Sequence, residues 1–175
     1  MGADPFRLFD LPWRFDLDKE MLHRRFINKA AANHPDRFTD PFGQADAAER
    51  SAAINAAYEM LADPEKRANC LLALMGGPAG ADDKSLPPDL LMQMMETRQR
   101  MEQAIAEQNT EALRDLADWA RDQRTTQLAE IARQFDKASR SNAAVRDEAL
   151  ATVRLQLNAL RYIERMLEQI PATND

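Results

Sequence analysis

The sequence predicts an all-α protein in two parts: an N-terminal domain built on an antiparallel helical hairpin, and a C-terminal three-helix bundle. Three observations predict it. Apolar residues recur at three- and four-residue steps almost throughout, β-branched residues are sparse with no sustained apolar/polar alternation, and a single Gly/Pro-rich segment interrupts the 175 residues. That segment, residues 76–88, gathers three of the five glycines and three of the nine prolines. It reads as a linker, so the expected domains are residues 1–75 and 88–175, joined by 76–87.

Taken in order, Pro5 to Phe9 form a short helix that Leu11-Pro12 interrupts, because proline disfavours helix at the preceding residue. Asp18 is a fitting N-cap for a helix over 19–33, whose buried stripe is Leu22, Phe26 and Ala30, and Pro35 ends it. A loop through Pro41-Phe42-Gly43 should lead to a helix over 45–61, buried through Ala47, Ile54, Ala57, Tyr58 and Leu61. Asp63-Pro64 then supplies a cap and a proline first turn for a helix to Leu74. The helices over 19–33 and 45–61 form the hairpin. Beyond the linker, starts at Pro88, Asn109-Thr110 and Ser141-Asn142 give helices near 88–107, 110–138 and 141–169, and their short connections imply antiparallel neighbours.

Composition excludes several functions. Residues 1–75 hold 10 Lys+Arg against 12 Asp+Glu, and residues 76–175 hold 13 against 17, so neither half is built for nucleic acid. No glycine run could cradle a nucleotide phosphate, and no apolar run approaches the roughly 18 residues of a membrane span. One cysteine and two histidines argue against a disulfide framework or a metal site, so no cofactor and a reducing, cytoplasmic setting are expected. The start, Met1-Gly2-Ala3-Asp4-Pro5, lacks the basic and then apolar pattern of a secretory signal. No catalytic constellation is present: Asp36 beside His34 has no Ser or Cys nucleophile placed with it, and an enzyme is not expected.

Two features remain. The tripeptide His34-Pro35-Asp36 falls in the hairpin loop, where loss of the helix ladder displays polar side chains, and Lys19, Arg24, Arg25 and Lys29 against Glu20 give residues 19–29 a net charge of +3 in an acidic half. A basic helix beside a displayed loop suits an acidic protein partner, although a solvated helix face carries the same pattern. In the first bundle helix, Leu90, Met94, Met101, Ala104 and Ile105 share one stripe, while Leu91, Met92 and Met95 fall on a separate side. In the last helix Ala149, Val153, Leu157, Leu160 and Leu167 make the stripe, with Leu155, Tyr162 and Met166 roughly opposite. Such a surplus is either an exposed binding patch or the wider buried face of a helix with two neighbours.

Phe6-x-x-Phe9-x-Leu11, the basic helix, His34-Pro35-Asp36-Arg37-Phe38, and Ile54-Asn55-x-Ala57-Tyr58-x-x-Leu61-x-Asp63-Pro64-x-x-Arg67-Ala68 resemble a J-domain. With Leu71-Leu72-x-Leu74-x-Gly76 and the helical second half, the whole chain resembles the HscB co-chaperones of iron-sulfur cluster assembly. The resemblance implies that His34, Pro35, Asp36, Arg24, Arg25 and Lys29 engage a DnaK/HscA-type chaperone and stimulate its ATP hydrolysis. It implies that Leu91, Met92, Met95, Glu96 and Tyr162 bind an IscU-type scaffold protein. A general J-protein with a different client on the bundle is the alternative. Asn33 and Lys29 depart from the aromatic and the leucine common at their positions in the family. The Cys-x-x-Cys pairs of some eukaryotic relatives are missing, so no zinc is implied.

Four further side chains are expected to be structural. Trp13 and Trp119 should anchor helix contacts, Trp119 off its helix's main stripe and toward the interdomain side. Arg124 should snorkel or meet an acid, and Cys70 should pack in the core.

Overall fold

The computed structural model describes residues 4–80, 85–86 and 88–170, so the sequence start and part of the expected linker lie outside the described residues. Among the described residues there is no strand. Seven α-helices follow in order: α1 (Pro5–Leu8), α2 (Lys19–Ala32), α3 (Pro41–Ala62), α4 (Pro64–Leu74), α5 (Pro88–Ala106), α6 (Thr110–Arg140) and α7 (Ala143–Gln169). Contacts divide the chain into two compact units, Met1–Leu71 and Leu72–Asp175.

In the first unit α2 and α3 form the hairpin, tied where Phe26 stacks on Tyr58 with centroids 4.1 Å apart and His23 Nδ1 lies 3.1 Å from the Tyr58 hydroxyl. Its core holds Phe6, Phe9, Leu11, Phe15, Leu22, Ile54 and Leu61, while Phe26 and Ala30 of the expected stripe are only half-buried. Burying an apolar side chain of this size stabilises the fold by about 1.5–3 kcal/mol. The buried Arg67 guanidinium lies 5.0 Å from the Phe15 ring centroid and donates to the Leu61 carbonyl. Burial lowers its pKa, opposed by the charges of Asp16 and Asp63.

Helix α3 begins four residues earlier than its periodicity suggests. Asp40 caps it, accepting from the Gly43 amide at 2.7 Å, and Pro41 occupies the first turn. The expected loop at Pro41-Phe42-Gly43 is therefore helix, and the reason is local: the Asp40 carboxylate lies against Gly43, where a Cβ would stand 2.6 Å from Asp40 Oδ2. Trp13 anchors the start of α1 from the surface rather than from within the core. It is 47% exposed, and its indole N–H donates to Asp4, the N-cap of α1, at 2.9 Å.

Three helices end alike. The amide three residues beyond the last helical residue reaches back to a carbonyl five residues earlier: Leu11 to Phe6 at 2.8 Å, Gly77 to Leu72 at 2.9 Å and Asn109 to Ala104 at 2.9 Å. The residue in between must adopt positive φ, and it is Asp10 (54°), Gly76 (79°) and Gln108 (53°) respectively.

In the second unit the 31-residue α6 and 27-residue α7 pair as a long antiparallel hairpin. The 19-residue α5 covers one end, where Leu90, Met94, Met101 and Ala104 pack with Leu113, Leu116 and Ala120 of α6 and Ala159, Ile163 and Met166 of α7. Trp119 packs partly buried against this cluster, and Arg124 meets Glu164 at 3.0 Å. Three donors of α7 hold the segment before α5: Arg146 donates to the Met75 carbonyl, Arg154 to that of Pro78 at 3.2 Å, and Asn158 to that of Ser85 at 3.1 Å.

Candidate functional site

His34-Pro35-Asp36 stands just past the end of α2. Asn33 closes the helix, its side-chain amide donating to the Lys29 carbonyl at 2.8 Å, and the residue before proline turns extended, so His34 leaves the helix axis at φ −69°, ψ 131°. Pro35–Arg37 then make one tight turn. His34 Nδ1 accepts from the Asp36 amide at 3.3 Å and also lies 3.5 Å from the Asp36 carboxylate. An Nδ1 that accepts from the amide carries no hydrogen, so the cap belongs to the neutral ring and an ion pair with Asp36 to the protonated one. Both side chains face solvent, His34 at 59% and Asp36 at 88% exposure. Gln44 fixes the following loop by donating to the Phe38 carbonyl at 2.9 Å, and the Arg50 guanidinium stands 5.7 Å from the Phe38 ring centroid.

The cations of α2 divide. Arg24 is exposed with no ion pair among the described residues. Arg25 is half-buried and donates to the carbonyl oxygens of Phe9 and Asp10, and Lys29 Nζ lies 3.1 Å from the Asp10 carboxylate. Arg24 therefore supplies displayed charge, whereas Arg25 and Lys29 hold α2 to the end of α1. Ile27, 49% exposed, follows Arg24 by three residues and shares its face. Sequence reasoning passed over Ile27, although its position off the Leu22-Phe26-Ala30 stripe was a usable signal.

On α5, Leu91, Met92 and Met95 are 48%, 68% and 67% exposed, and Glu96 beside them is exposed. The intervening Met94 is buried. Exposed apolar groups in one stripe lose water only when something covers them, and methionine adapts to an irregular contour. On α7 the surplus divides: Met166 is buried in the bundle core, and Tyr162 is half-buried against it. The third neighbour explains this, since α5 covers a face of α7 that its pairing with α6 leaves open. Tyr162 is thus only partly accessible. Arg98, one turn beyond Met95, has its pKa raised by its hydrogen bond to Glu102 and, less strongly, by one to Tyr162.

The one thiol is not poised for chemistry. Half-buried Cys70 has a raised pKa, first from burial and then from the Asp4 charge. Among the described residues no group of His, Cys, Asp and Glu could hold a metal ion, and no helix is long and apolar enough to cross a membrane.

The sequence matches the DnaJ domain over residues 13–70 and the HSCB C-terminal oligomerisation domain over residues 86–171. A protein from Burkholderia thailandensis named co-chaperone protein HscB homolog is 37% identical over 173 residues, covering 95% of this chain and 91% of its own. One of the same name from Mannheimia succiniciproducens is 30% identical, covering 98% and 96%. The solved chaperone HscB from Vibrio cholerae superposes with a TM-score of 0.76 at 27% identity over 96% of this chain and 95% of that one. Human co-chaperone protein HscB shares the fold, with a TM-score of 0.80 at 21% identity, covering 96% of this chain and 80% of that one. A J-domain carrying an exposed His-Pro-Asp turn, followed by a helical unit that matches along its length, makes this chain a member of the HscB family of co-chaperones.

Proposed function

We propose that this protein brings an IscU-type iron-sulfur scaffold protein to a DnaK/HscA-type chaperone in the cytoplasm and stimulates that chaperone's ATP hydrolysis. It does no chemistry itself. One observation carries the reading: a single chain pairs an exposed His-Pro-Asp turn beside a basic helix with a second unit exposing Leu91, Met92 and Met95. The two surfaces suit different partners, the first an acidic one and the second an apolar one. Arg24 steers the J-domain onto the chaperone, and contacts of His34, Pro35 and Asp36 that are stronger in the hydrolysis-competent state shift the chaperone toward it. Glu96 and Tyr162 border the apolar stripe and fix the client's orientation.

The test is ATP turnover by the DnaK-type chaperone of the source cell, with the protein, the scaffold, or both. Turnover should rise with the protein and rise further with both. His34→Gln should abolish stimulation while the protein melts as wild type, because His34 is exposed and contributes little beyond one local cap. A folded His34→Gln protein that stimulates as well as wild type overturns the chaperone half. Full stimulation with no scaffold retained in a pull-down would make this a general J-protein with another client.

A further inference from the structure

At one end of the bundle α5 and α7 enclose a cavity of about 180 Å³, lined by Arg98, Met101, Tyr162, Arg165, Met166 and Gln169. Met101 and Met166 are buried, while Arg98, Arg165 and Gln169 are exposed, so the base is apolar and the mouth polar. The cavity is too small for most cofactors, whose pockets run to about 300–1,000 Å³, and suits a single side chain. Its charge runs against its surroundings, since two arginines line it in a half of the chain holding 13 Lys+Arg against 17 Asp+Glu. Arg98 Nε is engaged by Glu102 at 3.0 Å, whereas Arg165 has no ion pair or hydrogen bond among the described residues.

Position gives the cavity its use. Leu91, Met95 and Arg98 follow one another at steps of four and three residues, so the exposed apolar stripe of α5 runs into the cavity mouth. A protein lying on that stripe must pass this mouth. A carboxylate presents two acceptor oxygens to the planar donors of a guanidinium, and the methylenes of an acidic side chain would rest on the two methionines.

We infer that this cavity receives one aspartate or glutamate side chain of the protein that docks on Leu91, Met92 and Met95, with Arg165 as the principal anchor and Arg98 as the second cation. The inference rests on the docking reading above and adds to it a charged register point beyond the apolar contacts. Apolar contact supplies adhesion, and the pair at Arg165 selects which way the client lies.

The experiment titrates the full-length protein with the IscU-type scaffold of the source cell at low and high salt. Arg165→Gln should weaken binding about tenfold and flatten its salt dependence, Arg165→Lys should retain part of the affinity, and Arg165→Glu should weaken it further. Reversing the scaffold's acidic residues one at a time should reveal one variant that loses wild-type binding and regains it only with Arg165→Glu. Arg165 is exposed, so these variants should melt as wild type. If Arg165→Gln and Arg165→Glu keep the wild-type affinity and salt slope while Leu91→Ala/Met92→Ala/Met95→Ala loses binding, the cavity assignment falls and the docking reading stands. Wild-type binding by that triple variant would remove the docking reading and this inference together. Loss with Arg165→Glu that no single reversal restores would overturn the acidic side chain as occupant.

Discussion

Arg25 of α2 donates to the carbonyl oxygen of Phe9 at 2.6 Å, across 16 residues of sequence, and so belongs to the architecture of its own domain before it belongs to any partner. The same guanidinium group reaches the carbonyl of Asp10, whose backbone sits at φ 54° and whose carboxylate meets Lys29. Two cations of the basic helix thus secure a turn in a sparsely populated conformation, one that costs a non-glycine residue about 1–2 kcal/mol. Arg25→Ala should therefore destabilise the J-domain by about 1.5–3 kcal/mol, the range for hydrogen bonds to a charged group. Arg24→Ala should change stability by less than about 0.5 kcal/mol, yet slow association with the chaperone and reduce its salt dependence. Thermal unfolding beside stopped-flow association separates the two. Equal melting temperatures for the two variants would return Arg25 to the steering surface.

That division was not legible in the sequence, where Arg24, Arg25 and Lys29 look alike, because the carbonyls that hold Arg25 lie far away along the chain. Local signals were legible. Asp18, Asn109 and Asn142 each cap a helix by accepting its amides, as residues of their type do at such positions. Asp40-Pro41 carries the same signal as Asp63-Pro64, but the neighbouring glycine reads as a loop until its place beside the Asp40 carboxylate is seen. On α5 the helical spacing separated exposed Leu91, Met92 and Met95 from buried Met94, because a helix face is a local property. The convergence of Arg98 and Arg165 on one cavity, from two helices, has no local signature.

The end of α5 offers a test of the shared helix stop. Gln108 takes φ 53° where Gly76 takes the equivalent position after α4, and only glycine adopts that conformation without crowding its Cβ. Gln108→Gly should stabilise the bundle by about 0.5–1 kcal/mol, the strain relieved less the greater freedom of glycine in the unfolded chain. Denaturant titration at constant m-value measures it. No gain, or a loss, would mean that Gln108 makes a compensating contact.

Cys70 gives the J-domain a pH dependence of known sign. Burial and Asp4 raise its pKa in the fold, so the folded state binds the thiol proton more tightly than the unfolded chain does. The stability this contributes is full below the ordinary thiol pKa of about 8.5 and is lost as pH rises through the folded value. Cys70→Ala should flatten the alkaline limb of the stability profile, and alkylation of Cys70 at pH 8 should be slower in the native protein than in denaturant. Native alkylation as fast as denatured would show that the thiol is freely accessible and ionised.

The α5 stripe contrasts two neighbouring methionines, since Met94 is 1% exposed in the bundle core and Met95 is 67% exposed on the surface. Truncating Met94 to Ala leaves a cavity in the bundle core or forces its neighbours to close on it, at a cost of about 2–5 kcal/mol of stability. Truncating Met95 removes surface that water already touches, and should change stability by less than about 0.5 kcal/mol. If Leu91, Met92 and Met95 form a binding centre, the weight falls on the complex instead, with each truncation removing about 1–2 kcal/mol of binding, or roughly tenfold in affinity. Leu91→Ala/Met92→Ala/Met95→Ala should then melt near wild type and stimulate the chaperone through its intact J-domain, yet release the scaffold in a pull-down. Met94→Ala should lower the melting temperature while leaving the exposed stripe chemically unchanged, so below its transition it should still hold the scaffold. The reverse pattern, a triple variant that melts early and binds normally, would place the stripe in the core and leave the bundle's client unassigned.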